Sequence, residues 1–587
     1  MYKPFLYELS SSQELLSSFG GYNKNEVIEE NSFYFEENMS STAYPLLTPR
    51  VKRGFFNVNG DTLHGLFAKS KLIYVKNNAL YYGGERVEGL YLPDVAVKRQ
   101  FVSMGARLLI FPDKLYLNTL DLSDFGSLEA VFEADEGTQV TFSLCRGDGE
   151  LYEGYVISDT EPEKPSNGDL WLDTSASPHS LKQFSESLGS WLELAETYVR
   201  IACPLIGKGF NQYDGVTLEG AVKNDLNGSH IIYDRGEDFI TVTGIMGDSF
   251  TQTGGLKVSR LLPDMDFVCE SSNRLWGCSC DKNEIYASKL GDPTNFNFFM
   301  GISSDSYAVS VGSDGEFTGA VPFRGYVLFF KESCVHKIYG QNPPFTLTTS
   351  YIRGVQKGSG GSLVILNESL YYKSPGGVCV YDGGIPVDIS KPLGGEYFTD
   401  AVAGACGDRY YICMSDKKGE RSLFVFDESK TLWHREDNID ISEFACHNFN
   451  LYFIAEIDGE KRLCLADGVN RFGNFTGELK GYYEEDAVSW VAQTGLWGLG
   501  LPENKYYSSV VIRLTGEKGA RLKVEYQTNS DGKWREQINT VVTKTGSMVL
   551  PFTTPRCDHL QIRLSGRGNV KIYSISRKVQ RGSELNV

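Results

Sequence analysis

Between Asn273 and Gly468 the apolar and polar positions follow one recurring phrase: a pair of apolar strands, a turn, then an aromatic strand ending near Gly or Asp. Its copies are RLWGCSCDKNEIYAS (Arg274 to Ser288), YVLFFKESCVHKIYG (Tyr326 to Gly340), GSLVILNESLYYKSPGGVCVYDGG (Gly361 to Gly384), DRYYICMSDKKGERSLFVFDES (Asp408 to Ser429) and FNLYFIAEIDGEKRLCLADG (Phe449 to Gly468). Their starts lie roughly 35–50 residues apart, the interval at which a four-stranded propeller blade recurs. The same pattern is present upstream. Gly65 to Leu92 has apolar runs broken by Asn77-Asn78 and Gly83-Gly84, and Gln100 to Leu120 turns at Pro112-Asp113; these residue types make tight turns. The pattern predicts an all-β chain built on a β-propeller of about 6–8 blades.

Three stretches depart from the phrase. Residues 1–60 read as an extended N-terminal arm, with a short helix expected at Ser12 to Ser18 and an extended path through Pro45 and Pro49. Removing this arm is expected to stop assembly while leaving a folded monomer. Thr160 to Pro204 is Pro- and Ser-rich before Trp171 and then compact around Trp171 and Trp191. It reads as a small module inserted in the propeller. After Tyr482 the chain alternates over short runs, clearest at Leu522, Val524 and Tyr526, with a hairpin turn at Asp531-Gly532; this pattern predicts a C-terminal antiparallel β-sandwich. The expected organisation is therefore arm 1–60, first blades 61–158, inserted module 159–204, remaining blades 205–480 and sandwich 481–587, with RGSELNV as a tail.

Composition sharpens the class. The chain has 62 glycines, 33 tyrosines and 34 phenylalanines in 587 residues, which favours turns and aromatic strands over long helices. Net charge is −18 and no basic run stands out, so a nucleic-acid-coating role is excluded; an acidic channel through which DNA slides without binding is compatible. The 12 cysteines fall mostly within strand-like runs and read as packed free thiols. No stretch has the roughly 18 apolar residues of a membrane span, and no signal-peptide pattern opens the chain.

Candidate chemistry is sparse. The seven histidines share no metal-binding spacing, and neither a nucleophile elbow nor a phosphate-binding loop is present. No cofactor, metal or catalytic residue is expected, and the chain reads as a non-enzyme. Cys446-His447 with Cys464 could meet across a hairpin, but ordinary packing is the expected reading. Asp264, Asp266, Glu284, Asp305, Asp314 and Glu316 lie near strand ends, where paired carboxylates of a propeller glycosidase would sit; solvated loops are the alternative. Trp171 and Trp191 could stack on a sugar ring or form the module's own core, and glycan binding through them would be erased by Trp171→Ala. Arg146-Gly147-Asp148 spells an adhesion tripeptide but sits in a Gly-rich turn.

Three phrases together resemble tailed-bacteriophage tail nozzle, tail tubular B or tail stabilisation proteins. They are EENMSSTAYPLLTPRVKRG; the block from Asn273 to Phe299, with Ser288, Gly291, Asp292 and Pro293, continued by FRGYVLFFKESCVHKIYGQNPPFTLTT and LYYKSPGGVCVYDGGIPVDIS; and RCDHLQIRLSGRG with IYSISRKVQRGSE. The GDLWLDT phrase resembles small modules of many phage tail proteins. The resemblance implies a structural virion protein assembled in the host bacterial cytoplasm. It further implies a homo-oligomeric ring, hexameric in expectation, around the DNA exit channel of the tail. Its partners would be the portal adaptor, other tail proteins and passing DNA bound without sequence preference, with no membrane insertion. A host-glycan-binding tail or baseplate protein is the alternative, and a polysaccharide depolymerase the third reading.

Overall fold

Turn chemistry sets the hairpins. Asn77 and Asn78 both hold positive φ (51° and 59°), as do Ser272 and Asn273 (53° and 58°), Asn367 and Glu368 (44° and 64°), and Asn448 and Phe449 (48° and 57°). Two successive left-handed residues make the turn whose twist matches the flanking strands, and asparagine tolerates that conformation better than other residues with a Cβ. Each of these pairs joins two antiparallel strands, such as Leu72–Lys76 and Ala79–Tyr82. In the computed structural model, which describes residues 11–93, 98–468, 479, 481–551 and 554–581, such hairpins build an all-β propeller protein.

Seven blade sheets are present among the described residues. Four belong to a first compact unit, made of Met1–Arg99, Phe329–Val335 and Thr349–Val587. They run from His64–Ala68 to Glu85–Tyr91, from Val364–Leu366 to Val387–Asp388, from Thr399–Cys406 to Leu432–Arg435, and from Asp440–His447 to Glu460–Leu465. Consecutive blades share apolar cores: Tyr371, Tyr410 and Trp433 in one, Cys413, Phe453 and Cys464 in the next, and Phe56, Tyr74 and Tyr452 in a third. The strand Gly54–Asn59 joins the last of these sheets, between Glu460–Leu465 and Tyr483–Glu484. The last blade thus takes a strand from near the start of the chain.

The C-terminal sandwich lies in the same unit. One sheet has the order Ser11–Leu16, Val570–Arg581, Lys505–Gly516, Gly546–Pro551, and the other Phe33–Glu37, Ser489–Thr494, Leu560–Arg567, Arg521–Thr528, Arg535–Val541. Trp490, Trp497, Val510, Leu522 and Ile562 fill the space between them. Two of the nine strands come from the N-terminal segment. The helix expected at Ser12 to Ser18 is instead the strand Ser11–Leu16, paired from Ser11 with Gln580 to Leu16 with Ile575; a partner strand outweighs local propensity. Residues 582–587 of the expected tail lie outside the described residues.

Between the two sandwich strands and the blade the N-terminal segment is held along its length. Tyr22 N–H donates to Trp433 O at 2.6 Å and Asn38 N–H to Glu436 O at 2.8 Å. Gly21 lies so close that a Cβ there would sit 2.1 Å from Trp433 O. Buried Glu36 meets His434 Nδ1 at 2.9 Å. Arg53 donates to Glu436 at 2.6 Å and to Asp437 at 2.7 Å, while Arg50 pairs with Glu485 and donates to Asn38 Oδ1 at 2.7 Å. The expectation that residues 1–54 can be removed from a folded monomer is therefore corrected, because both sandwich sheets would lose an edge strand and Glu436, Asp437 and Glu485 their buried arginine partners.

The second unit, Gln100–Leu328 with His336–Thr348, holds the blades from Gln100–Met104 to Phe125–Ser127 and from Phe267–Ser271 to Tyr307–Ser310. They share a core of Leu109, Phe111, Leu275 and Tyr286, so they are neighbours in space. A further blade sheet runs from Gly319–Phe323 to Thr346–Ser350. The insert between the first two is larger than the 159–204 read from sequence. Strands from Ala130–Glu133 to Lys257–Arg260 form one eight-stranded sheet over Phe142, Ile201, Phe210, Val216 and Ile240. The segments expected as blades at 130–158 and 205–260 belong to this sheet, because alternation marks a strand without naming its partner. The small sheet of Val156–Ser158, Leu170–Asp173, Ser180–Ser185 and Ser190–Glu193 is set within it in sequence.

Burial pushes the Asp437 carboxyl up, but Arg53 and Arg50 outweigh burial and hold it below the ordinary aspartate value. Its stabilising contribution is present above that ordinary value, about 3.9, and is lost as pH falls through the lower folded value. Arg53→Ala should destabilise the chain by about 3–5 kcal/mol, because it leaves two partly buried carboxylates without their partner. It should also flatten the acid limb of the stability profile. Urea unfolding between pH 3 and 7, read at Trp433, checks both.

Candidate functional site

The sequence-derived candidates separate on inspection. Trp171 is 6% exposed, its Nε1–H donates to Ser158 O at 3.1 Å, and Lys182 Nζ lies 4.8 Å from its ring centre. Half-buried Trp191 packs edge-on against Trp171 at 5.4 Å and against Phe184 at 5.3 Å. The two tryptophans are the core of the small sheet. The carboxylates are also engaged: Asp266 accepts from Cys280 N–H at 2.6 Å, Glu284 from Tyr286 at 2.6 Å and Ser310 at 3.0 Å, and Asp305 from Met300 and Gly301 N–H at 3.0 and 2.7 Å. Asp264 is solvent-facing and pairs with Lys114 at 2.9 Å. Asp264 and Asp266 do share a hollow of 320 Å³ with Asp281, whereas Asp314 and Glu316 are exposed elsewhere. Cys464 is buried and Cys446 exposed, so they do not share a site. Among the described residues no group of three His, Cys, Asp or Glu side chains is placed to hold a metal, and no helix is long and apolar enough to cross a membrane.

A larger hollow, of 810 Å³, opens in the second unit where its first blade, the inserted domain and the loop after Glu284–Ala287 converge. That volume lies within the ~300–1,000 Å³ range of ligand sites. The blade contributes Arg107 and Tyr116 from neighbouring strands, with the guanidinium 5.1 Å from the Tyr116 ring centre. Tyr116 Oη donates to Asp124 at 3.0 Å; burial and then that hydrogen bond push its phenol up, keeping it protonated. The inserted domain contributes exposed Lys208 and Asn211 together with buried Arg260.

Arg260 is anchored by an ion pair with Asp214. Burial pushes the Asp214 carboxyl up against the opposing pull of Arg260. Arg260 Nε is buried beside the hollow without a hydrogen-bond partner among the described residues, and such a donor is costly unless something accepts from it. The two acids on the wall are already committed. Glu129 accepts from Lys114 at 2.8 Å and from Leu262 N–H at 2.9 Å, and Asp292 from Thr294 N–H and Oγ1 at 3.0 and 2.7 Å. The hollow thus brings Arg107, Lys208 and Arg260 together with an aromatic ring and amide hydrogen-bonding groups on a chain of charge −18. None of these residues except Asp292 stood out in the sequence, since Arg107, Lys208 and Arg260 lie more than 50 residues apart in pairs.

No protein-family profile matches the chain, and no curated protein does. Similar solved structures include exo-beta-1,3-galactanase from Phanerochaete chrysosporium, 9% identical over 52% of this chain and 95% of that one, TM-score 0.21. An engineered GH43 glycoside hydrolase with endo-xylanase and exo-arabinofuranosidase activity is 11% identical over 54% and 97%, TM-score 0.20. Phage phi92 endosialidase is 10% identical over 87% and 79%, TM-score 0.22. Likeness of this degree transfers no site residue. Glycoside hydrolases and an endosialidase are among these similar structures, so the expectation of a non-enzyme finds no support in them.

Trp171→Ala should remove the core of the small sheet and cost about 3–5 kcal/mol locally. Amide hydrogen exchange across residues 156–193 should then show lost protection; retained protection would mean that the sheet does not depend on this ring.

Proposed function

We propose that the chain is a host-glycan-binding protein of a bacteriophage tail or baseplate, and that it holds a negatively charged oligosaccharide in the hollow of the second unit. The observation that carries this reading is the hollow itself, where Arg107, Lys208 and the unpartnered Nε of Arg260 face one polar space large enough for several sugar rings. Buried and clustered cations in an otherwise acidic surface select an anion, and an aromatic ring beside hydrogen-bonding groups suits a carbohydrate. The phage context comes from the phrases around Asn273 to Phe299 and at both ends of the chain. Lys208→Glu should weaken binding to acidic glycans on an array about tenfold, equivalent to about 1.4 kcal/mol, and leave neutral glycans unchanged. The same incubations, assayed for new reducing ends, separate binding from depolymerisation. Equal binding by both proteins would remove the reading.

A second reading, a structural ring around the DNA exit channel, is favoured by one observation. The N-terminal segment is paired into both sandwich sheets and the last blade, so the first unit resists being drawn apart along its chain. Its partners would be further copies of this chain, the portal adaptor and other tail proteins. Imaging of assembled particles distinguishes a symmetric ring on the tail axis from a peripheral position.

A further inference from the structure

Twelve cysteines are free, and Cys446 is the exposed one. It lies in the strand Asp440–His447, and half-buried Cys406 ends the strand Thr399–Cys406 of the preceding blade. Cys406 Sγ donates to Phe449 O at 3.2 Å, in the hairpin that follows Cys446, and Gly404 packs against Phe444, where an added Cβ would lie 2.6 Å from the Phe444 Cβ, so the two strands run side by side and bring Cys406 next to Cys446. Two thiols from different blades therefore meet at the surface. Cys278 and Cys280, also close in sequence, differ: Cys278 is fully buried and burial pushes its thiol well up.

We propose that Cys406 and Cys446 form a thiol pair that exchanges with small disulfides and closes into a disulfide joining two consecutive blades. The neighbouring Cys406 thiol outweighs burial and holds the Cys446 thiol below its ordinary value, while Cys406 is raised chiefly by that same neighbour. Cys446 is thus the attacking thiolate and Cys406 the resolving thiol. With oxidised glutathione as oxidant, the Cys446 thiolate attacks one sulfur, the glutathione disulfide breaks, and one glutathione thiolate leaves. Cys406 then loses its proton, attacks Cys446 Sγ and expels the second glutathione. The protein loses two thiols and two electrons, and one disulfide becomes two molecules of reduced glutathione. The pair is independent of the glycan hollow, which lies in the other unit.

The test uses the full folded chain incubated with oxidised glutathione and mapped by mass spectrometry without reduction. A linked Cys406–Cys446 peptide is expected, with two fewer titratable thiols and slower proteolysis across the Thr399–Cys406 and Asp440–His447 strands. Cys406→Ser should retain a glutathione adduct on Cys446, and Cys446→Ser should form neither adduct nor link. Unchanged thiol content in the wild-type chain overturns the proposal. Links confined to other cysteines, or an adduct on Cys406 in Cys446→Ser, do the same. The wild-type map needs no variant and stands whether or not the substitutions fold.

Discussion

Arg50 and Arg53 lie buried among carboxylates that arrive from the far end of the chain, Glu436 and Asp437 from one blade edge and Glu485 from the link into the sandwich. Desolvation offsets much of the attraction in such a cluster, so its main effect is on register. A slip of one residue in the N-terminal segment would separate five charges that are largely buried. With that register set, Gly54–Asn59 reaches the last blade and Phe33–Glu37 reaches the sandwich, each presenting its apolar positions to the correct core. Four of the blades and the sandwich belong to one compact unit, in which these few side chains fix the alignment of the N-terminal segment.

Hairpins were legible because they depend on neighbours. Asn77-Asn78 announces its turn through residue type alone, and the aromatic strands that follow announce the blade. The C-terminal sandwich was legible for the same reason, from Leu522, Val524 and Tyr526. Sheet membership was not. Val216 and Val258 alternate like any blade strand, yet they belong to the eight-stranded sheet with Val131 and Phe142, through pairings such as Leu218 with Val258 and Phe132 with Val258 that join segments distant in sequence. Ser11–Leu16 likewise became a strand through a partner near residue 575.

The site was harder still. Tryptophans drew notice as sugar platforms, yet in a sheet of four short strands the two indoles pack on each other and on Phe184 as part of its core. The hollow is made from residues with ordinary local sequence: a lysine in a loop, an arginine at a strand start, another at a strand end. What distinguishes them is convergence, and the field they create is strengthened by contrast with the acidic surface around it.

The strand Gly54–Asn59 has one more consequence, in time. It is synthesised early, but its neighbours in the sheet, Glu460–Leu465 and Tyr483–Glu484, emerge only after some four hundred further residues. At about 5–20 residues per second that interval is roughly 20–90 s, during which both edges of the strand lack their final partners. The sandwich strands Ser11–Leu16 and Phe33–Glu37 wait longer still. During that interval Phe56 and Val58, both buried in the folded chain, lack the strands that cover them.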